Sequence, residues 1–258
     1  MLIAFRKLIS LAFFYAKSLT AFFRPNVQWS ATLSKEFFAR LFYYMANWWY
    51  MFFLNLLEGV FFGLNRDLIN IESQLYDHYF KVNQFFIALR DGLKILPKDI
   101  TSLTYGETSW FAIKKILDTV QAGNNDIFYD LGCGTGRTVF FARIYYGVKK
   151  AIGVDLIPTF IQTAKKIVKD NGIDGIDFIE NNIFKTSLKN GTIFLTVVTV
   201  CYNNAMIEQL KEKLKEISPD SWVVTVSCPL ICDHLKLVYT KYLFYSWGIA
   251  KTFFHKRV

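Results

Sequence analysis

Glycine and proline are scarce in this chain, 14 and 5 of 258 residues, which excludes collagen-like repeats and Pro/Gly-rich low-complexity sequence. Histidine is rarer still. His78, His234 and His255 stand alone, none of them reads as a dedicated base, and each is expected to be structural or at the surface. The four cysteines, Cys133, Cys201, Cys228 and Cys232, offer one C-x-x-x-C pair and no common zinc-knuckle spacing, so no metal site is expected and reduced thiols in an intracellular protein are. No internal repeat is visible. What the chain does have is aromatic side chains, 18% of its residues within a 53% hydrophobic total, too much burial capacity for a disordered protein. A formal charge of +9 favours acidic partners: nucleic acid, anionic lipid or an acidic chromatin-like surface.

The aromatics crowd into residues 1–66, which read as a hydrophobic helical extension. Within residues 1–24, Arg6, Lys7, Ser10, Lys17, Ser18 and Arg24 fall in one helical arc and Phe5, Leu8, Leu11, Leu19, Phe22 and Phe23 outside it, the pattern of a basic interfacial helix. A second apolar block, Phe37–Leu64, starts after Ser34, which reads as an N-cap with Glu36 in the first turn. Its uncharged stretch Leu41–Leu57 is at the lower limit for crossing a bilayer. Glu36, Arg40, Asn47, Glu58 and Asn65 form one polar stripe, which a buried or interfacial helix would also show. Residues 67–104 read as a helical connector with ordinary composition, closed by Pro97 and the polar stretch 99–104, and residues 105–258 as the catalytic domain.

The densest signal is Asp126–Phe141, DIFYDLGCGTGRTVFF: a β-type run ending in Asp130, a loop with Gly132, Gly134, Thr135 and Gly136, then a helix from about Arg137. A second strand, from Lys150, ends in Val154-Asp155-Leu156. An acid at that place accepts hydrogen bonds from ribose hydroxyls. The third glycine comes one residue earlier than in the dinucleotide pattern, and a carboxylate ahead of the loop would repel a pyrophosphate. It would suit a cationic amino-acid portion, which favours S-adenosylmethionine. Helix Thr159–Asn171, strand Ile176–Ile179, the loop with Asn182 and Ile183, strand Thr192–Val200, helix Met206–Ile217, strand Trp222–Ser227 and a terminal pair, Lys236–Tyr242 with Ala250–His255, complete an α/β chain with a seven-stranded Rossmann-like core.

The arrangement resembles a class I methyltransferase. In that family the loop after the third strand supplies an acid or amide to adenine, a role that falls on Asn182 and Ile183. Further segments narrow the resemblance: Tyr105-Gly106-Glu107-Thr108, Asp130–Gly136, Val197–Tyr202, Val226–Pro229, and Ser246-Trp247-Gly248 with His255-Lys256. In this order they resemble the disruptor-of-telomeric-silencing type of histone-lysine methyltransferase, which lacks a SET domain, over about residues 100–258. The resemblance implies that Tyr105 and Glu107 form a lid and lysine channel, that Thr108 binds cofactor, and that Trp247 walls the channel. It implies an asparagine where this chain has Val198, leaving Thr199 or Tyr202 to take its place, a different acceptor, or lost activity. The expected reaction is methyl transfer to a protein lysine. A membrane-associated enzyme acting on a lipid or quinone, attached through residues 1–66 to an anionic surface, and a non-catalytic cofactor-binding scaffold are the rival readings.

Overall fold

The computed structural model describes residues 31–79, 84–95, 106–198 and 204–258, and the chain divides into two compact units, Met1–Leu64 and Asn65–Val258. The basic segment 1–24 lies outside the described residues. In the first unit, helix α1 (Ala31–Phe62) is continuous. Ser34 lies inside it rather than capping it, and no acid occupies its first turn. Ala31 and Leu33 precede the serine with no glycine or proline to stop the helix, so propensity carries it through. Leu54, Glu58 and Phe62 are buried along one face. No helix among the described residues is long and apolar enough to cross a membrane, the Leu41–Leu57 stretch of α1 included. Asn47, Asn55 and the tyrosines of this stretch dilute its hydrophobicity below what a bilayer core requires. Asn65 is no part of the α1 stripe: its side chain and carbonyl accept from Leu68 and Ile69 N–H at 2.9 and 3.0 Å, capping the next helix.

The second unit opens with α2 (Arg66–Tyr79) and α3 (Gln84–Ile95), followed by α4 (Trp110–Thr119). Strand β1 (Ile127–Leu131) then begins the α/β alternation with α5 (Arg137–Phe140), a π-helical turn (Phe141–Tyr146), β2 (Lys150–Asp155), α6 (Pro158–Asp170) and β3 (Ile176–Glu180). Strand β4 (Ile193–Val197), α7 (Asn204–Lys213), β5 (Trp222–Val226), β6 (Leu235–Tyr245) and β7 (Gly248–Arg257) finish it. The seven strands lie in the order β3-β2-β1-β4-β5-β7-β6, parallel except for β7, which is antiparallel to both neighbours. This is the class I Rossmann-like methyltransferase architecture.

Local sequence explains the layers. β1 and β4 are nearly unbroken apolar runs because helices cover both faces of a parallel sheet. Tyr129, Phe194, Val223, Leu210 and Leu214 pack one face, and each large apolar side chain buried there is worth about 1.5–3 kcal/mol. α6 starts on Pro158 and turns Phe160, Ile161, Ala164 and Ile167 inward. The terminal hairpin is longer at both ends than its predicted strands, since the aromatic and β-branched run continues to Tyr245 and resumes at Gly248. The predicted strand after Thr192 ends at Val197, with residues 199–203 outside the described set.

Candidate active site

The glycine loop leaves β1 at the carboxyl edge of the sheet. Gly132, Gly134 and Gly136 have φ of +91°, +52° and +84°, a region side chains disfavour. At Gly136 a Cβ would also come within 2.4 Å of the Phe178 ring. At Gly132 it would meet nothing within 4 Å, so the loop is open on its outer side. Asp155, at the end of β2, holds the loop: one carboxylate oxygen accepts from Gly134 N–H and the other from Ile157 N–H, both at 2.8 Å. A carboxylate has about four lone-pair positions, so it retains capacity for ribose hydroxyls. Burial pushes its pKa up, opposed by the main-chain N–H groups of Ile157, Gly134 and Leu156. Asp130 is buried beneath the loop and accepts from the Thr138 hydroxyl. Its pKa is pushed up to about 7 by burial, with the Thr138 hydrogen bond opposing and the charge of Asp155 adding. Two carboxylates beside an open, glycine-rich loop fit a ligand bearing an ammonium, a sulfonium and a ribose.

The loop carrying Asn182 and Ile183 follows β3. The Asn182 carboxamide oxygen accepts from Phe184 N–H at 2.9 Å, and its carbonyl accepts from Lys185 and Thr186 N–H, so this residue shapes its own loop. Ile183 packs against the apolar core beside it.

The 106–109 segment docks on the terminal hairpin. Gly106 lies against Trp247 so closely that a Cβ would come within 2.4 Å of the ring. Glu107 N–H donates to Ser246 Oγ at 2.9 Å, and Ser246 N–H returns a bond to Glu107 O at 3.1 Å. Trp247 stacks on Tyr245 at 4.8 Å and 16°. Ser109 caps α4 through Ala112 N–H and donates to Phe244 O. The structure thus brings Gly106, Glu107, Thr108 and Trp247 together. Tyr105, Thr199 and Tyr202 lie outside the described residues. Val198 is fully buried in the apolar core with Leu210 and Leu214, so its position presents no polar group to the site. Of the histidines, His255 is buried with its ring between Val223 O and Leu230 N–H, while His78 and His234 bond Thr163 and the Lys211 carbonyl.

Three residues near the loop escaped the sequence reading. Arg137, directly after Gly136, is buried, pairs with Glu72 at 3.1 Å, donates to Thr108 O at 3.0 Å and lies 4.8 Å over the Trp110 ring. Glu72 had a signal: a lone carboxylate on the Leu68–Ile71–Leu75–Tyr79 face of α2. Tyr79 is buried with its hydroxyl pushed up to about 12, chiefly by burial, with the Asp155 and Glu107 carboxylates adding to it.

Residues 130–231 match the ANTKMT methyltransferase domain. A protein-lysine N-methyltransferase of Saccharolobus islandicus is 32% identical over 128 residues, 49% of this chain and 77% of that protein. The chain belongs to the family of that archaeal enzyme, the S-adenosylmethionine-dependent methyltransferases. The fold agrees, since TrmN from Thermus thermophilus superimposes with a TM-score of 0.53 at 12% identity over 62% of this chain and 52% of that one. A histone-lysine N-methyltransferase of Caenorhabditis elegans, H3 lysine-79 specific, shares 41% identity over 59 residues, which is 23% of this chain and 6% of that enzyme. The narrower histone-lysine resemblance therefore extends over one short segment. In this methyltransferase the residues of the glycine loop, Asp130 and Asp155 are the ones that fit the cofactor S-adenosylmethionine.

Proposed function

We propose that this methyltransferase methylates a lysine side chain of a protein. The observation that carries the reading is the seating of Gly106 and Glu107 on the Trp247–Tyr245 stack, which puts a carboxylate-bearing segment against an aromatic wall. The 32% identity to a protein-lysine enzyme supports the same acceptor. When bound, S-adenosylmethionine supplies an electrophilic methyl group on a sulfonium sulfur. Asp155 and the loop main chain hold the ligand's ribose and Asp130 its ammonium. Trp247 and Tyr245 exclude water from an entering lysine, which lowers the amine's pKa and favours the neutral nucleophile. Glu107, held by Ser246 and by the Gln84 amide at 3.4 Å, would orient that amine toward the methyl group the cofactor supplies. The test is transfer from methyl-labelled cofactor to proteins, RNA and membrane extract. Label recovered as methyl-lysine supports the reading, and label in RNA or lipid alone overturns it.

A second reading concerns attachment. α1 exposes Trp49, Phe53, Val60 and Phe61, with Trp49 and Phe53 stacked at 6.0 Å. Together with Arg6, Lys7, Lys17 and Arg24 in the sequence that precedes it, this supports adherence of the first unit to an anionic membrane surface. Binding to anionic vesicles that weakens but persists as salt rises would support it, and no binding at low salt would overturn it.

A further inference from the structure

The terminal hairpin is unusual in charge and exposure. Leu235–Val258 contains Lys236, Lys241, Lys251, Lys256 and Arg257 and no carboxylate side chain. Strand β6 is the edge of the sheet: among the described residues it pairs only with β7, so one side of its 11-residue backbone has no strand beside it, and near its Tyr245 end the Phe244 carbonyl accepts from the Ser109 hydroxyl. At about 3.3 Å per residue that edge is about 36 Å long. One face of the hairpin is covered by α4, where Lys241 Nζ reaches Thr119 Oγ1 at 3.0 Å. The other face exposes Leu237, Tyr242, Phe244 and Ile249, with Phe244 paired to Ile249 and Tyr242 to Lys251 across the strands. Long, apolar, uncovered edges are normally blunted because they template pairing with another chain.

β6 runs antiparallel to β7 and so in the same sense as β5. Its Tyr245 end therefore lies at the carboxyl edge of the sheet, where the glycine loop sits, and it leads into the Ser246–Trp247 turn that holds Glu107. The geometry points to β6 as the docking edge for the protein substrate: an extended segment rich in acidic and aliphatic residues adds as an eighth strand and delivers its lysine to the Trp247 wall. This inference rests on the lysine-acceptor reading. A second copy of the chain fits poorly, since each hairpin would bring five cations against five. RNA would satisfy the charge but cannot continue a main-chain ladder, whereas a polypeptide can.

The probe is a fluorescent peptide of about twelve residues, alternating Glu with Val around one central lysine, compared with versions in which Gln or Arg replaces Glu. Its binding to the full chain is read by polarisation, and its methylation by KM and kcat. The acidic peptide should bind about tenfold tighter than the Gln version and have the lower KM, from a few exposed charge pairs acting together. Lys236→Glu with Tyr242→Glu should raise KM about tenfold while leaving kcat and S-adenosylhomocysteine affinity unchanged. Ile249→Glu, at another exposed position, should act in the same direction. Equal binding of all three peptides, indifference to these substitutions, or displacement of the peptide by a short RNA overturns the docking edge. Tight, substitution-sensitive binding without methylation supports the edge and contradicts lysine transfer, which separates the two claims.

Discussion

At the scale of single residues, the cofactor cradle places function against stability. Asp130 titrates near 7 in the folded chain but would titrate near 4 unfolded, a difference worth about 1.4 kcal/mol per unit. A raised carboxyl pKa favours folding while the group stays protonated, so this contribution is lost as pH rises from about 4 through 7. Asp130→Asn should therefore raise the unfolding temperature at pH 8 while weakening binding of S-adenosylhomocysteine, whose ammonium loses its carboxylate. In the native chain the same affinity should fall as pH drops below 7. Calorimetry at pH 6 and 8 checks both, and a variant that binds as tightly as the native chain would remove Asp130 from the ammonium site. Asp130 and Asp155 were legible because each ends a short apolar run at fixed distance from the glycines. Arg137 was not, since its partner Glu72 lies 65 positions earlier and no local pattern joins them.

At the scale of elements, the hairpin and the 106–109 segment act together. Gly106→Ala would push a methyl into Trp247 and displace the segment bearing Glu107. We expect kcat to fall on the order of 10–100-fold with little change in unfolding temperature, because small misplacements at a site cost that much. A large fall in unfolding temperature with unchanged kcat would make the contact purely structural. Strand β7 carries a different dependence. Burial lowers the pKa of His255, against its bond to Val223 O, so its neutral form is the folded one. Its contribution is present above about 6.5, the unfolded value, and is lost as pH falls below it. Between pH 7 and 5 the unfolding temperature of the native chain should fall relative to that of His255→Gln, a difference in which the opposite effect of Asp130, present in both, cancels. Ser246-Trp247-Gly248 could be read as a turn from composition, but the hydrogen bonds from Ser246 to Glu107 span 139 positions and only the fold reveals them. Helix ends were harder: Ser34 looked like a cap because capping residues also sit inside helices when propensity around them is high.

At the scale of the molecule, α2 belongs with the catalytic region because the Glu72–Arg137 pair is buried between them. Breaking a buried pair by removing one partner typically costs about 3–5 kcal/mol. Arg137→Met should accordingly shift the denaturant midpoint markedly and loosen the Thr108 carbonyl it holds, whereas a surface-like shift of a few tenths would mean the pair is not formed in solution. Residues 65–258 contain every described group assigned here to cofactor binding, so a chain starting at residue 65 should still bind S-adenosylhomocysteine. The α/β class and the terminal strand pair followed from the alternation of apolar runs and amphipathic helices, while the depth of the α2 contact did not, because one carboxylate on an apolar face does not name its partner. The most direct measurement is calorimetric titration of S-adenosylhomocysteine into the full chain and into folded Asp155→Ala. One molecule bound per chain, with affinity reduced by about 1–3 kcal/mol in the variant through loss of the ribose acceptor, is the predicted result. Equal affinity in the two proteins would contradict it.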